Sequence, residues 1–113
     1  MQRDRLYLTG MVEACTRIVD LTDGRSLAEL EQEPTVRESL LSNFTVLGEA
    51  ANQVSDGLRD AHPDVPWRRA TSLRNRIVHG YWAIEMDVIL TTAREVVPEM
   101  LDLLRSASAA LDR

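Results

Sequence analysis

Apolar residues recur at three- and four-residue steps through most of the 113-residue chain, the spacing that lines one face of an α-helix. In the first segment Leu8, Met11, Val12, Cys15, Ile18 and Val19 fall on one stripe, and Gly24 supplies a stop signal. Ser26, followed three residues on by Glu29, reads as a capping box for a short second helix over SLAELEQE, ended near Pro34. Pro34 can then open a long third helix in its first turn. Its stripe runs Val36, Leu40, Phe44, Leu47, Gly48, Ala51, Val54 and Leu58 before AHPDVPW, with Pro63 and Pro66, breaks it as a short loop. A fourth helix carries WRRATSLRNRIVHG and is expected to stop near Gly80. The last begins near Asp87, with Ile89, Ala93, Val96, Met100, Leu104, Ala107 and Leu111 on one face, and Pro98 is expected to kink it. Strand-like alternation, repeats and flexible linkers are absent from the pattern. The expected architecture is all-α, a helical bundle in one domain over residues 1–113, since this length supports one modest core rather than two. With so few aromatics, dimerisation would bury a further face.

Composition narrows the chemistry. The chain has no lysine, which excludes Schiff-base catalysis and lysine-dependent phosphate loops. Its 13 basic residues are all arginines, suited to bidentate phosphate contacts, although codon bias accounts for them better than selection for function does. The net charge of −5 argues against a broad nucleic-acid footprint. Yet no Asp or Glu occurs from Trp67 to Ile84, where Arg68, Arg69, Arg74 and Arg76 all fall. Such a positive island attracts anions locally despite the overall charge. Cys15 stands alone, so no disulfide framework exists and a reducing, cytoplasmic setting is expected; its place on the first stripe makes it a buried structural thiol rather than a nucleophile. No apolar run is long enough to span a bilayer, and MQRDRLYLTG lacks the apolar core of a signal peptide.

The island contains RNRIVHGY, residues 74 to 81. In an ideal helix the five steps from Arg74 to His79 turn about 500°, so the two side chains point roughly 140° apart. Asn75 and His79 share a face, as do Arg76 and His79. Asn75 can therefore orient the imidazole, and Arg76 stands beside it as a second supporting group. Arg74 reaches a phosphate near His79 only around the helix, through unwinding at Gly80, or across a subunit interface. Against a catalytic role stands a plain one, a cation at a helix C-terminus stabilised by the dipole. No metal site or cofactor is expected, because His62 is remote, is followed by Pro63, and joins no ligand cluster.

Two stretches carry a family resemblance. VLGEAANQVSDGLRDAHPDVPW and LRNRIVHGYW resemble, in order, the glycine-glutamate-alanine and histidine-proline–proline-tryptophan stretch and the RN-x-x-x-H-x-Y signature of the HepT-like family within the HEPN superfamily. Arg74, His79 and Tyr81 match the signature position by position, and the resemblance covers most of the chain. It implies a HEPN-type bundle acting as a homodimeric, metal-independent endoribonuclease toxin, with RNA as substrate. Arg74 and His79 would be catalytic in a dimer cleft. The implied partner is an MNT-type nucleotidyltransferase antitoxin that transfers AMP to Tyr81. A non-catalytic subunit presenting a nucleotide or protein to that enzyme is the alternative. Glu49 either pairs with a motif arginine or is simply solvated, and Gly48 is expected to permit close helix packing. Trp67 and Trp82 are expected to be buried anchors rather than base-stacking platforms, and Arg68 and Arg69 either guide RNA or solvate their face.

Overall fold

The computed structural model describes residues 2–113. It consists of helices α1 (Gln2–Thr22), α2 (Leu27–Gln32), α3 (Pro34–Gln53), α4 (Asp56–Ala61), α5 (Trp67–His79), α6 (Met86–Glu95) and α7 (Val97–Leu111), with one 3₁₀ turn at Tyr81–Ala83 and no strand among the described residues. The first apolar stripe does what its spacing requires: Leu8, Met11, Cys15 and Ile18 are fully buried. Helix α1 packs between α3 and α7, α3 lies between α1 and α5, and α6 closes over α1 and α7. The core between them gathers Leu40, Phe44, Leu47, Ile89, Val97, Met100 and Leu104. Each such side chain contributes about 1.5–3 kcal/mol by leaving water. The radius of gyration, 13.9 Å, matches a folded domain of this size at about 13 Å.

Local chemistry sets the helix ends. The α1 helix stops where Gly24 takes a left-handed φ of 70°, which glycine adopts without steric cost. The reciprocal capping box between Ser26 and Glu29 is formed, and Pro34 occupies the first turn of α3.

Two expected helices are divided. The stripe from Val36 to Leu58 spans both α3 and α4, because the chain turns at Val54 and Ser55. Ser55 caps α4 by accepting the Leu58 N–H, and its own N–H and hydroxyl donate to the buried Asp4 carboxylate at 2.9 and 2.6 Å. Arg59 completes the corner by donating to the terminal α3 carbonyls of Ala51 and Asn52 at 3.0 and 2.9 Å. The C-terminal helix is likewise broken rather than kinked. Helix α6 ends at Glu95, Val96 is the junction, and Pro98 sits in the first turn of α7, where its missing N–H costs nothing.

Trp67 is buried, and its indole N–H donates to the His62 carbonyl at 3.0 Å, anchoring the proline-rich loop. Trp82 overturns the expectation of a second anchor, since 95% of it is exposed. The 3₁₀ turn after α5 carries it outward instead of returning it to the core.

No described helix is long and apolar enough to cross a membrane.

Candidate functional site

Helix α5 presents the motif. It buries Trp67, Ala70, Leu73 and Ile77 on one side, which turns Arg68, Arg69, Asn75, Arg76 and His79 outward. Its seat against α3 depends on Gly48. A Cβ at that position would collide with the Arg74 Cβ and lie 2.6 Å from the Ala70 carbonyl oxygen. The two backbones therefore approach as closely as they do because residue 48 has no side chain.

That crossing delivers Arg74 to Glu49, the next residue on α3. The two form an ion pair, and a second terminal nitrogen of Arg74 donates to Asn75 Oδ1 at 2.8 Å. The Arg74 side chain is 28% exposed, with its Nε buried and unpaired among the described residues. A guanidinium carries five N–H donors in a planar fork, so two fixed partners still leave donors for an incoming anion. Of the two roles open to Glu49, pairing with a motif arginine is the one observed.

Asn75 does not serve His79 as the spacing suggested. Its amide oxygen is taken by Arg74, and among the described residues no hydrogen bond or ion pair joins His79 to Asn75, Arg76 or Arg74. The imidazole is exposed in the last turn of α5, where Gly80 closes the helix by donating to the Arg76 carbonyl at 2.9 Å. Arg76 is exposed, beside a small groove of about 130 Å³ shared with Arg69, Ser72 and Val88.

Tyr81 opens the 3₁₀ turn, half-buried against the core. Its ring meets Trp82 edge-on, with centroids 5.4 Å apart, and the Arg37 guanidinium of α3 stands 5.8 Å from its centroid. Both distances fit attractive aromatic contacts. Nothing in the spacing of α3 had singled out Arg37. In the chain, then, Arg74 is braced, His79 is exposed to solvent, and Tyr81 is held by its ring against Trp82 and Arg37. Among the described residues no group of three His, Cys, Asp or Glu side chains could hold a metal ion.

Comparison with known proteins adds the family. The model described as ribonuclease HepT-like matches residues 11–107. A protein of Caldanaerobacter subterraneus subsp. tengcongensis, provisionally named an RNase, is 23% identical over 100 residues, covering 88% of this chain and 89% of its own length. Another of that provisional name, from Methanocaldococcus jannaschii, is 23% identical over 96 residues, with 85% and 88% covered. The “Probable ribonuclease HepT” of Thermococcus cleftensis is 22% identical over 94 residues, with 83% and 86% covered. No solved structure matches the chain.

Proposed function

The chain belongs to the HepT-like ribonuclease family, and on that footing we propose that it is a metal-independent endoribonuclease acting as a homodimer of single HEPN-type domains. RNA carries its own nucleophile. The 2′-hydroxyl oxygen attacks the adjacent phosphorus, its proton passes to one imidazole, and the P–O5′ bond breaks as a second imidazole protonates the leaving oxygen. The products are a 2′,3′-cyclic phosphate and a 5′-hydroxyl. An imidazole can both accept and donate a proton, which suits it to either half of this transfer. Two copies meeting about a twofold axis would supply both histidines. They would also bring Arg74 to a phosphate that its own His79, pointing elsewhere on α5, does not share. Arg74 would stabilise the extra charge on the five-coordinate phosphorus through charge-assisted hydrogen bonds.

The observation that carries this reading is the bracing of Arg74. An arginine that only solvates a surface has no need of a glycine-spaced helix crossing, a carboxylate and an amide to fix it. A group meant to meet developing charge gains from being fixed beforehand, because no reorganisation is then required during reaction. In the same reading the protein is the toxin of a cytoplasmic pair. An MNT-type nucleotidyltransferase silences it by joining the Tyr81 oxygen to the α-phosphorus of ATP with release of pyrophosphate, which sets negative charge where RNA must bind.

The test is cleavage of labelled RNA by purified protein in excess EDTA. Wild type should cleave and leave cyclic phosphate ends, and Arg74→Ala and His79→Ala should each lose about 10²–10³ in rate while staying folded. Activity abolished by EDTA and restored by magnesium overturns the mechanism, as does wild-type cleavage by either variant.

A further inference from the structure

We propose that the cleft at the N-terminal end of α5 is a subsite for the backbone of single-stranded RNA, with Arg68 as its main phosphate contact. It would hold nucleotides flanking the one cleaved at His79. This subsite presupposes the ribonuclease reading above and adds to it where the rest of the strand lies.

The cleft measures about 830 Å³ and lies open between the end of α3, α4, the proline-rich loop and the first two turns of α5. Arg59, Arg68 and Arg69 line it, with Ser72 as a further donor and Pro63, Val65, Pro66 and Trp67 as its apolar wall; the Thr71 hydroxyl at its edge already donates to the Trp67 carbonyl at 3.2 Å. None of the residues lining it is acidic, in a chain whose net charge is −5. The three arginines are not equivalent. Arg59 is committed to the carbonyls of Ala51 and Asn52. Arg69 also faces a neighbouring groove that contains Asp64, Glu95 and Glu99. Arg68 is exposed and has no hydrogen bond or ion pair among the described residues, so its full charge faces the cleft. The first turn of α5 has neither an acidic residue nor a side-chain cap, which adds the positive end of the helix dipole.

What selects a polymer over a small anion is the path leading away from the cleft. At about 100° per residue, Arg68, Ser72, Asn75 and His79 fall within an arc of about 60° on α5. All four are exposed. This polar track rises about 16 Å from Arg68 to His79, at 1.5 Å per residue. A mononucleotide can occupy one end only. A single strand can lie along the track with a phosphate at each end, and an electrostatic groove that follows a backbone is how unstructured strands are held without sequence preference.

The experiment uses an RNA of about twelve nucleotides carrying 2′-O-methyl groups throughout, which lacks the nucleophile and cannot be cleaved. Binding to intact wild type and to Arg68→Glu/Arg69→Glu is followed by fluorescence anisotropy across a salt series. The double variant is expected to bind at least about 10-fold more weakly. The slope of log affinity against log salt should shrink by at least about 0.7, the value for the one phosphate contact at Arg68 on a single strand, and by about 1.4 where Arg69 meets a phosphate as well. With the cleavable RNA, the loss should fall on KM rather than kcat, and it should grow as substrates lengthen from a dinucleotide to the full strand. Unchanged affinity and unchanged KM overturn the subsite while leaving the ribonuclease reading intact. An equal loss at every length also overturns it. If wild type cleaves nothing, yet binding depends on these two arginines, the catalytic reading falls and with it the role of flanking a cleaved nucleotide, while the cleft stands as a contact for single-stranded RNA.

Discussion

Replacing Gly48 by alanine should destabilise the protein, although the same change at Gly10 should not. Both glycines lie within long helices, where alanine is intrinsically favoured by about 0.8–1.0 kcal/mol. At Gly10 a new Cβ meets nothing within 4 Å. At Gly48 it collides with the Arg74 Cβ and stands 2.6 Å from the Ala70 oxygen, about 0.8 Å short of the 3.4 Å at which ordinary contact begins. Neither neighbour is the far end of a flexible side chain, so α5 must lift from α3. Overpacking of this kind costs about 1–3 kcal/mol, or more where backbone is obstructed. Because the obstructing atoms are a Cβ and a backbone oxygen, the upper part of that range applies, about 2–3 kcal/mol, and after the helix-propensity gain a net loss of about 1–2 kcal/mol remains for Gly48→Ala, against a gain of up to about 1 kcal/mol for Gly10→Ala. In a domain of 113 residues 1 kcal/mol moves Tm by about 4 °C. Thermal unfolding followed by circular dichroism should therefore separate the two variants by about 10 °C, in opposite directions from wild type. Gly48→Ala should also lose ribonuclease activity beyond its stability loss, because Arg74 moves with α5. Equal melting temperatures for the two variants would refute the account of the α3–α5 crossing.

The remaining predictions concern three other groups. Hydrogen bonding from Ser55, side chain first and backbone second, outweighs burial and holds the Asp4 carboxyl below the usual carboxylate range. A depressed folded pKa gives stability that is fully present above the unfolded value of about 3.9 and is lost as pH falls through the folded one. Asp4→Asn should thus be less stable than wild type at pH 7, with the gap closing below about pH 4; a pH-independent gap in urea denaturation would contradict this. Burial pushes the Cys15 thiol up to about 12, so a thiol reagent at pH 8 should label unfolded but not native protein, and rapid native labelling would show that α1 opens. Tyr81→Phe keeps the ring and its contact with Arg37, so on the proposed function it should stay folded and cleave RNA yet gain no AMP from the proposed nucleotidyltransferase with ATP; AMP mapped by mass spectrometry to another residue would remove Tyr81 from that role.

Much of the helical framework is legible from spacing alone, because each long helix buries a single stripe and its caps are local. The capping box at Ser26 and Glu29 needs only four consecutive residues. The corner at Ser55 is different. The stripe of Leu47, Ala51, Val54 and Leu58 keeps helical spacing across it, since α3 and α4 face one core, and the carboxylate that stabilises the turn lies 51 residues earlier, at Asp4. Pro98 misled in a related way, because a proline that would kink a continuous helix is equally at home in the first turn of a new one. At the candidate site, the sequence shows the motif at the end of one helix but not the partners its side chains find. Whether Glu49 meets Arg74 depends on how closely α3 and α5 cross, which Gly48 decides through space. Asn75 lay within helical reach of His79, yet it bonds its immediate neighbour, Arg74, where a charged donor is at hand. Trp82 was misjudged because an aromatic beside a helix end is ordinarily buried, and the 3₁₀ turn reverses that.

The opposed surroundings of the two indoles make the protein its own optical probe. Trp67 is buried at the wall of the Arg68 cleft with its indole N–H held by the proline-rich loop, whereas Trp82 stands in solvent at the end of the motif. Acrylamide should therefore quench Trp82 and spare Trp67, leaving two emission components that report on different events. The blue, protected component follows melting of the loop and the start of α5. The red, quenchable one follows whatever comes to rest against the 3₁₀ turn, be it RNA, a second subunit or a nucleotide on Tyr81, with no label attached.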